Sequence, residues 1–139
     1  MNIQNYIHEN INVQPKDGFV SNIEKDTLVN KFFRKVLYTT KQMQLVVMCL
    51  QPGEDIGMEI HKKVTQFIRI ESGEGRVILN GKTKHIKDDF CIVIPAGTEH
   101  NIINTSKTKL MKLYTVYTPQ EHKDKLIHKT KVDAFDEKH

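Results

Sequence analysis

Tryptophan is absent from these 139 residues, and aromatic residues together make up only 7% of the chain. No apolar stretch approaches the roughly 18 consecutive residues that a membrane-spanning helix needs. The opening Met1-Asn2-Ile3-Gln4-Asn5-Tyr6 has neither a basic segment nor an apolar one, so it does not read as a secretory signal. Cysteine is scarce as well. Cys49 and Cys91 each lie inside an apolar run, and without a secretion signal they predict two buried free thiols in a reducing cytoplasm, not a disulfide. Between 36 and 118 there is no helical pattern of ten or more residues. What remains is 38% hydrophobic and 27% charged, the composition of a soluble globular chain, with a length suited to one domain.

Lysine and arginine number 21 against 17 acids, a net charge of +4. Most of the surplus is C-terminal: residues 105–139 hold eight lysines against five acids. A nucleic-acid reader needs clustered positive charge interleaved with stacking aromatics. Here lysines alternate with acids and tryptophan is missing, so the sequence predicts a solvated surface and no nucleic-acid partner.

Residues 1–34 are polar with scattered apolar positions, and predict an arm with a strand near 11–13 and a helical turn near 22–26. From Val36 the pattern changes. Met43 to Leu50 is a short apolar run closed by Gln51-Pro52-Gly53. Further short segments follow at 58–61, 66–71, 76–80, 83–87, 90–94, 100–104 and 110–118. Turn residues separate them, among them Ser72-Gly73-Glu74-Gly75, Asn80-Gly81, Asp88-Asp89 and Pro95-Ala96-Gly97. Asn-Gly between apolar segments is a strong hairpin signal. At least seven short strands at near-even spacing predict an all-β sandwich or barrel. The expected organisation is an N-terminal arm over 1–35, a barrel over 36–118 and a charged tail over 119–139. That tail either is solvated or packs on a neighbour.

Polar residues within these strands carry the chemistry. Glu59 and His61 are two apart, so on a strand they share a face. Gln66 follows across a turn, and His100 opens a later strand just after Pro95-Ala96-Gly97. A barrel can collect all four into its lumen, offering one carboxylate, two imidazoles and one amide oxygen.

The spacing of these residues resembles the two motifs of the cupin superfamily. The first motif is Gly, five residues, His, one residue, His, three or four residues, Glu, six residues, Gly. Gly53 to Gly73 keeps that spacing, with Glu59 and His61 in the two His places and Gln66 in the Glu place. The second is Gly, five residues, Pro, one residue, Gly, two residues, His, three residues, Asn. Pro95, Gly97, His100 and Asn104 match it, with Asp89 in the place of its first Gly. The string Pro119-Gln120-Glu121-His122 is similar, more weakly, to small cupins described as mannose-6-phosphate-isomerase-like.

The resemblance implies a single-domain double-stranded β-helix, the cupin jelly-roll barrel, with short arms at each end, and a homodimer. It implies a divalent metal held by Glu59, His61, Gln66 and His100 beside a small-molecule pocket. With one imidazole exchanged for an amide, oxygen donors favour Zn, Mn, Fe(II) and Ni over Cu. The alternative is a metal-free barrel in which Glu59 and Gln66 hydrogen-bond the histidines, with Arg69 or a protonated His as partner of Glu59. In function, the resemblance implies a sugar or sugar-phosphate isomerase. A metal-dependent dioxygenase and a non-catalytic ligand-binding module are the alternatives. Tyr114 and Tyr117 are candidate pocket linings or plain packing. His85, His122, His128 and His139 read as solvated, and Asn104 as a loop support.

Overall fold

Alternate side chains decide which way each strand faces. In Thr65–Ser72 the buried positions are Gln66, Ile68 and Ile70, while Phe67 and Arg69 between them are partly exposed. The same period of two runs through the chain. The computed structural model describes residues 16–138. Its strands are β1 (Arg34–Thr39), β2 (Gln44–Leu50), β3 (Thr65–Ser72), β4 (Glu74–Leu79), β5 (Lys82–Lys87), β6 (Cys91–Ile94), β7 (His100–Asn104), β8 (Met111–Thr118) and β9 (Ile127–His128). Two short helices, α1 (Ile23–Val29) and α2 (Lys131–Lys138), flank them.

The strands form two antiparallel sheets, ordered β6-β3-β8-β2-β1-β9 and β5-β4-β7. This is the all-β jelly-roll expected from the sequence. The Asn80-Gly81 hairpin forms as predicted: Leu79 pairs with Lys82, and the two loop residues take φ of 47° and 80°. That pair of positive φ values suits the twist of a two-residue hairpin. Asp89, standing where the motif has glycine, adopts φ 73°, a conformation Asp tolerates better than most side chains.

The space between the sheets is apolar towards one end. Met48, Leu50, Ile68, Ile70, Val77, Ile102, Met111 and Leu113 are buried there in one cluster. Towards the other end the inward positions turn polar. Tyr117 lies in register between Gln44 on β2 and Gln66 on β3.

Several expectations need correction. Residues 58–61 do not form a strand. Only Glu59 bridges to His100, because Gly57 at φ 108° breaks the ladder and gives its N–H to the Asn101 side chain. The described part of the last segment, 119–138, is not a solvated tail. β9 pairs with β1, so the sheet continues past residue 118, and Ala134 of α2 joins the core. His128 is buried accordingly. Cys49 is buried as expected, but Cys91 is exposed because it falls on the outward side of β6. The helical turn near 22–26 is α1, capped by Asn22, whose side chain accepts the Lys25 N–H at 3.0 Å. The strand near 11–13 and His139 lie outside the described residues. Among those described, no helix is long and apolar enough to cross a membrane.

Candidate functional site

The backbone brings two of the motif's polar residues together at a single bridge. Glu59 and His100 exchange both backbone hydrogen bonds at 2.9 Å. The Gly97 N–H donates to the His61 carbonyl at 2.8 Å, tying the 95–98 turn to the first motif. Gly97 takes φ 85° there, where a side chain would be strained. The same turn closes with Thr98 N–H on the Pro95 carbonyl, and so delivers His100 into the lumen.

The side chains meet accordingly. His61 Nε2 is 3.2 Å from Glu59 Oε2, and His61 Nδ1 is 3.3 Å from Glu121 Oε1. The imidazole is thus flanked by carboxylates on both ring nitrogens, and only a doubly protonated ring donates to both at once. The His100 ring centre lies 5.2 Å from that of His61. His100 Nδ1 stands 2.8 Å from the Thr98 carbonyl, which can only accept. Nδ1 therefore carries the proton of this bond, and Nε2 is the ring nitrogen left facing away from it.

Gln66 enters from β3. Its Nε2 donates to Thr115 Oγ1 at 2.9 Å, whereas its Oε1 is buried with no hydrogen-bond partner. Tyr117 joins it across the sheet, edge-on to His61 at 5.9 Å and to His122 at 5.1 Å. Burial pushes the Tyr117 hydroxyl up to about 12, against the pull of the Arg34 guanidinium. Burial, aided by Arg34, pushes His122 down to about 3. Both groups are therefore neutral at pH 7 and can exchange a hydrogen bond, their polar atoms being 3.4 Å apart.

Other residues singled out by the sequence fall elsewhere. Arg69 pairs with Glu71 at 2.8 Å and Asp89 at 3.1 Å, not with Glu59. Tyr114 points away from the lumen and packs near Phe67, 6.3 Å between rings. His85 is exposed and paired with Glu74, as expected of a surface residue. Asn104 supports a loop, donating to the Leu50, Gln51 and Lys109 carbonyls. Sequence reasoning missed Glu121 and His122 as site residues, although they sit in the Pro119-Gln120-Glu121-His122 string. Arg34, which the sequence offers with Arg69 and Arg76 as an anion clamp without deciding between them, is the one of the three on an inward face, sharing that of β1 with Val36.

The donor chemistry suits a divalent ion in part. An orphaned amide oxygen, an imidazole held through its other nitrogen and a carboxylate beside a second imidazole are the donor types such an ion takes. Among the described residues, however, no three His, Cys, Asp or Glu side chains are grouped to hold a metal. Glu59 and His61 are turned to each other.

Similar proteins agree with this architecture. The cupin domain family matches residues 46–117. The uncharacterized protein YrkC of Bacillus subtilis is 48% identical over 123 residues, covering 84% of this chain. The match spans 65% of that protein's own length. A protein of Acanthamoeba polyphaga mimivirus is 49% identical over 108 residues, covering 75% of this chain and 67% of its own. The crystal structure of BH2720 from Bacillus halodurans superposes with a TM-score of 0.84 at 40% identity, covering 90% of this chain and 96% of the other. With its motif glycines, its paired sheets and this match over half its length, the chain belongs to the cupin family.

Proposed function

We propose that the polar end of the barrel holds a divalent metal through Glu59, His61, Gln66 and His100, beside a pocket for a small molecule. The observation that carries this reading is the buried Gln66 Oε1 without a partner. An unpaired buried carbonyl oxygen costs about 1–3 kcal/mol, a cost that an ion would offset. The Thr98-anchored His100 supports it, since a ligating imidazole ordinarily donates its other N–H to a fixed acceptor. A metal would take up the same atoms that Glu59 and His61 now turn to each other, leaving Glu121 as the acceptor for His61 Nδ1–H.

When bound, the metal would polarise a substrate carbonyl. The residues around it are suited to proton transfer. Glu59 or Glu121 would accept a proton, and Tyr117, which keeps its proton to about pH 12, would donate a hydrogen bond. Isomerisation of a sugar or sugar phosphate is the enzyme chemistry that fits such a set. A second reading, a binding module without turnover, is favoured by the contacts that His61 makes with both Glu59 and Glu121.

The test is titration of Zn, Mn and Ni into chelator-treated protein, comparing wild type with Gln66→Leu and Gln66→Glu. The reading expects Gln66→Leu to bind at least tenfold more weakly and Gln66→Glu more tightly. Equal affinity in all three would remove Gln66 from the site and with it the proposal. For the isomerase, failure to interconvert mannose-6-phosphate and fructose-6-phosphate with metal supplied would reject that pair.

A further inference from the structure

Arg34 is the most unusual group in the barrel. Its side chain projects from β1 into the interior, and the residue is 3% exposed. A guanidinium does not lose its proton, so the charge is permanent. Its Nη1 meets His128 Nδ1 at 3.2 Å, and it also donates towards the Tyr117 hydroxyl. A phenol hydroxyl and an imidazole nitrogen accepting from a guanidinium carry no negative charge, so neither cancels that of Arg34. Its Cζ lies 5.2 Å from the centre of the Phe33 ring. Its Nε is buried with no hydrogen-bond partner. Among the described residues Arg34 enters no ion pair. A buried cation outside any ion pair is costly, and a protein that keeps one ordinarily supplies an anion in contact with it.

The place for that anion adjoins it. A cleft of about 320 Å³ runs between the barrel and α2, with Arg34 and Glu59 in its wall. Phe33, Ile56, Ala134 and Phe135 make most of the rest apolar. Lys131 lines it too but is already paired with Asp55. Glu59 connects the cleft directly to His61.

We infer that this cleft binds a small carboxylate-bearing molecule with an apolar body, its carboxylate on the Nε edge of Arg34 and its body against Phe33 and Phe135. A planar carboxylate matches the planar guanidinium edge. This rests on the reading of the lumen as a ligand site and adds the ligand's chemical class. Nε is closed to solvent, so reaching it requires the cleft wall to shift.

The test uses the full chain freed of metal, with hexanoate, its neutral isostere hexanamide and inorganic phosphate as probes, followed by calorimetric titration. Wild type is compared with Arg34→Met and Arg34→Lys. The inference expects hexanoate to bind at least tenfold more tightly than hexanamide or phosphate. It expects Arg34→Met to lose at least tenfold in hexanoate affinity, and Arg34→Lys to lose less. Arg34→Met without ligand should melt no lower than wild type, because it removes an unpaired buried charge. If Arg34→Met does not fold, hexanoate binding by wild type and its partial retention in Arg34→Lys decide the matter. Equal binding of hexanoate and hexanamide, preference for phosphate, or undiminished affinity in Arg34→Met would overturn it. A His61→Ala, His100→Ala variant that loses metal but keeps hexanoate binding separates this claim from the metal site.

Discussion

Gln44 grips the backbone of His122 from both sides, its Oε1 accepting the His122 N–H at 2.9 Å and its Nε2 donating to the His122 carbonyl at 2.8 Å. Oε1 also accepts the Glu121 N–H at 3.2 Å. One inward-facing amide on β2 thus fixes the loop that supplies two site side chains.

Replacing it with leucine tests that dependence. Gln44→Leu removes four hydrogen bonds, counting the one to Thr39 Oγ1, while keeping the side chain's bulk. At roughly 0.5–1.5 kcal/mol each, with partial rescue by water, the expected cost is about 2–4 kcal/mol. Urea unfolding measures it, and amide exchange at 121 and 122 should quicken. A cost below about 0.5 kcal/mol with unchanged exchange would show that the loop holds itself.

The depressed His122 gives a pH signature. Its folded value near 3 lies below the ordinary 6.5, so its contribution to stability is complete above about pH 6.5. It is lost as pH falls towards 3, because the unfolded chain then takes up a proton the folded chain refuses. The slope is at most about 1.4 kcal/mol per pH unit. His122→Gln should therefore flatten the fall in stability between pH 6.5 and 4. Parallel curves for the two proteins would contradict the buried, neutral assignment. Tyr117 acts at the other extreme, its stabilisation fading from about pH 10 to about 12.

Gly75 on β4 marks a close backbone approach. A Cβ there would lie 2.0 Å from the Ile103 carbonyl oxygen and 2.5 Å from Met111 Cε. Gly75→Ala should cost more than about 3 kcal/mol or prevent folding, since a backbone atom of β7 cannot yield as a side chain does. Thermal melting reads the effect. A shift of only a degree or two would mean that the sheets part easily here.

The two thiols should differ sharply. Cys91 is exposed, whereas Cys49 is buried, with burial pushing its thiol up despite Lys112 beside it. A thiol reagent such as dithiobis-nitrobenzoate should titrate one group in native protein and two in denaturant. Cys91→Ser should abolish the native reaction, and fast reaction of Cys49 in that variant would contradict its placement.

The barrel was legible because it is written in local signals. The Asn80-Gly81 turn, the alternation in β3 and the spacing around His61 and His100 each need only near neighbours in sequence. Glu121, His122, Arg34 and His128 were harder to read, because each gains its role from a partner far along the chain. His128 meets Arg34 across 94 positions, and Gln44 meets His122 across 78. The charged run after residue 118 hid β9 and α2, whose few buried side chains, such as His128 and Ala134, give no periodic signal. Cys91 was misread for a related reason: a four-residue strand with all-apolar sequence does not say which face is inward.

The central claim is that Glu59, His61, Gln66 and His100 form one metal-holding set, and metal content tests it most directly. Untagged wild-type protein and the His61→Ala, His100→Ala double variant would be loaded with equimolar Zn, Mn or Ni, passed over a desalting column and measured by elemental analysis. The account predicts close to one metal per chain in wild type and under a tenth of that in the variant. Equal metal in both proteins, or none in wild type with any of the three ions, would contradict it.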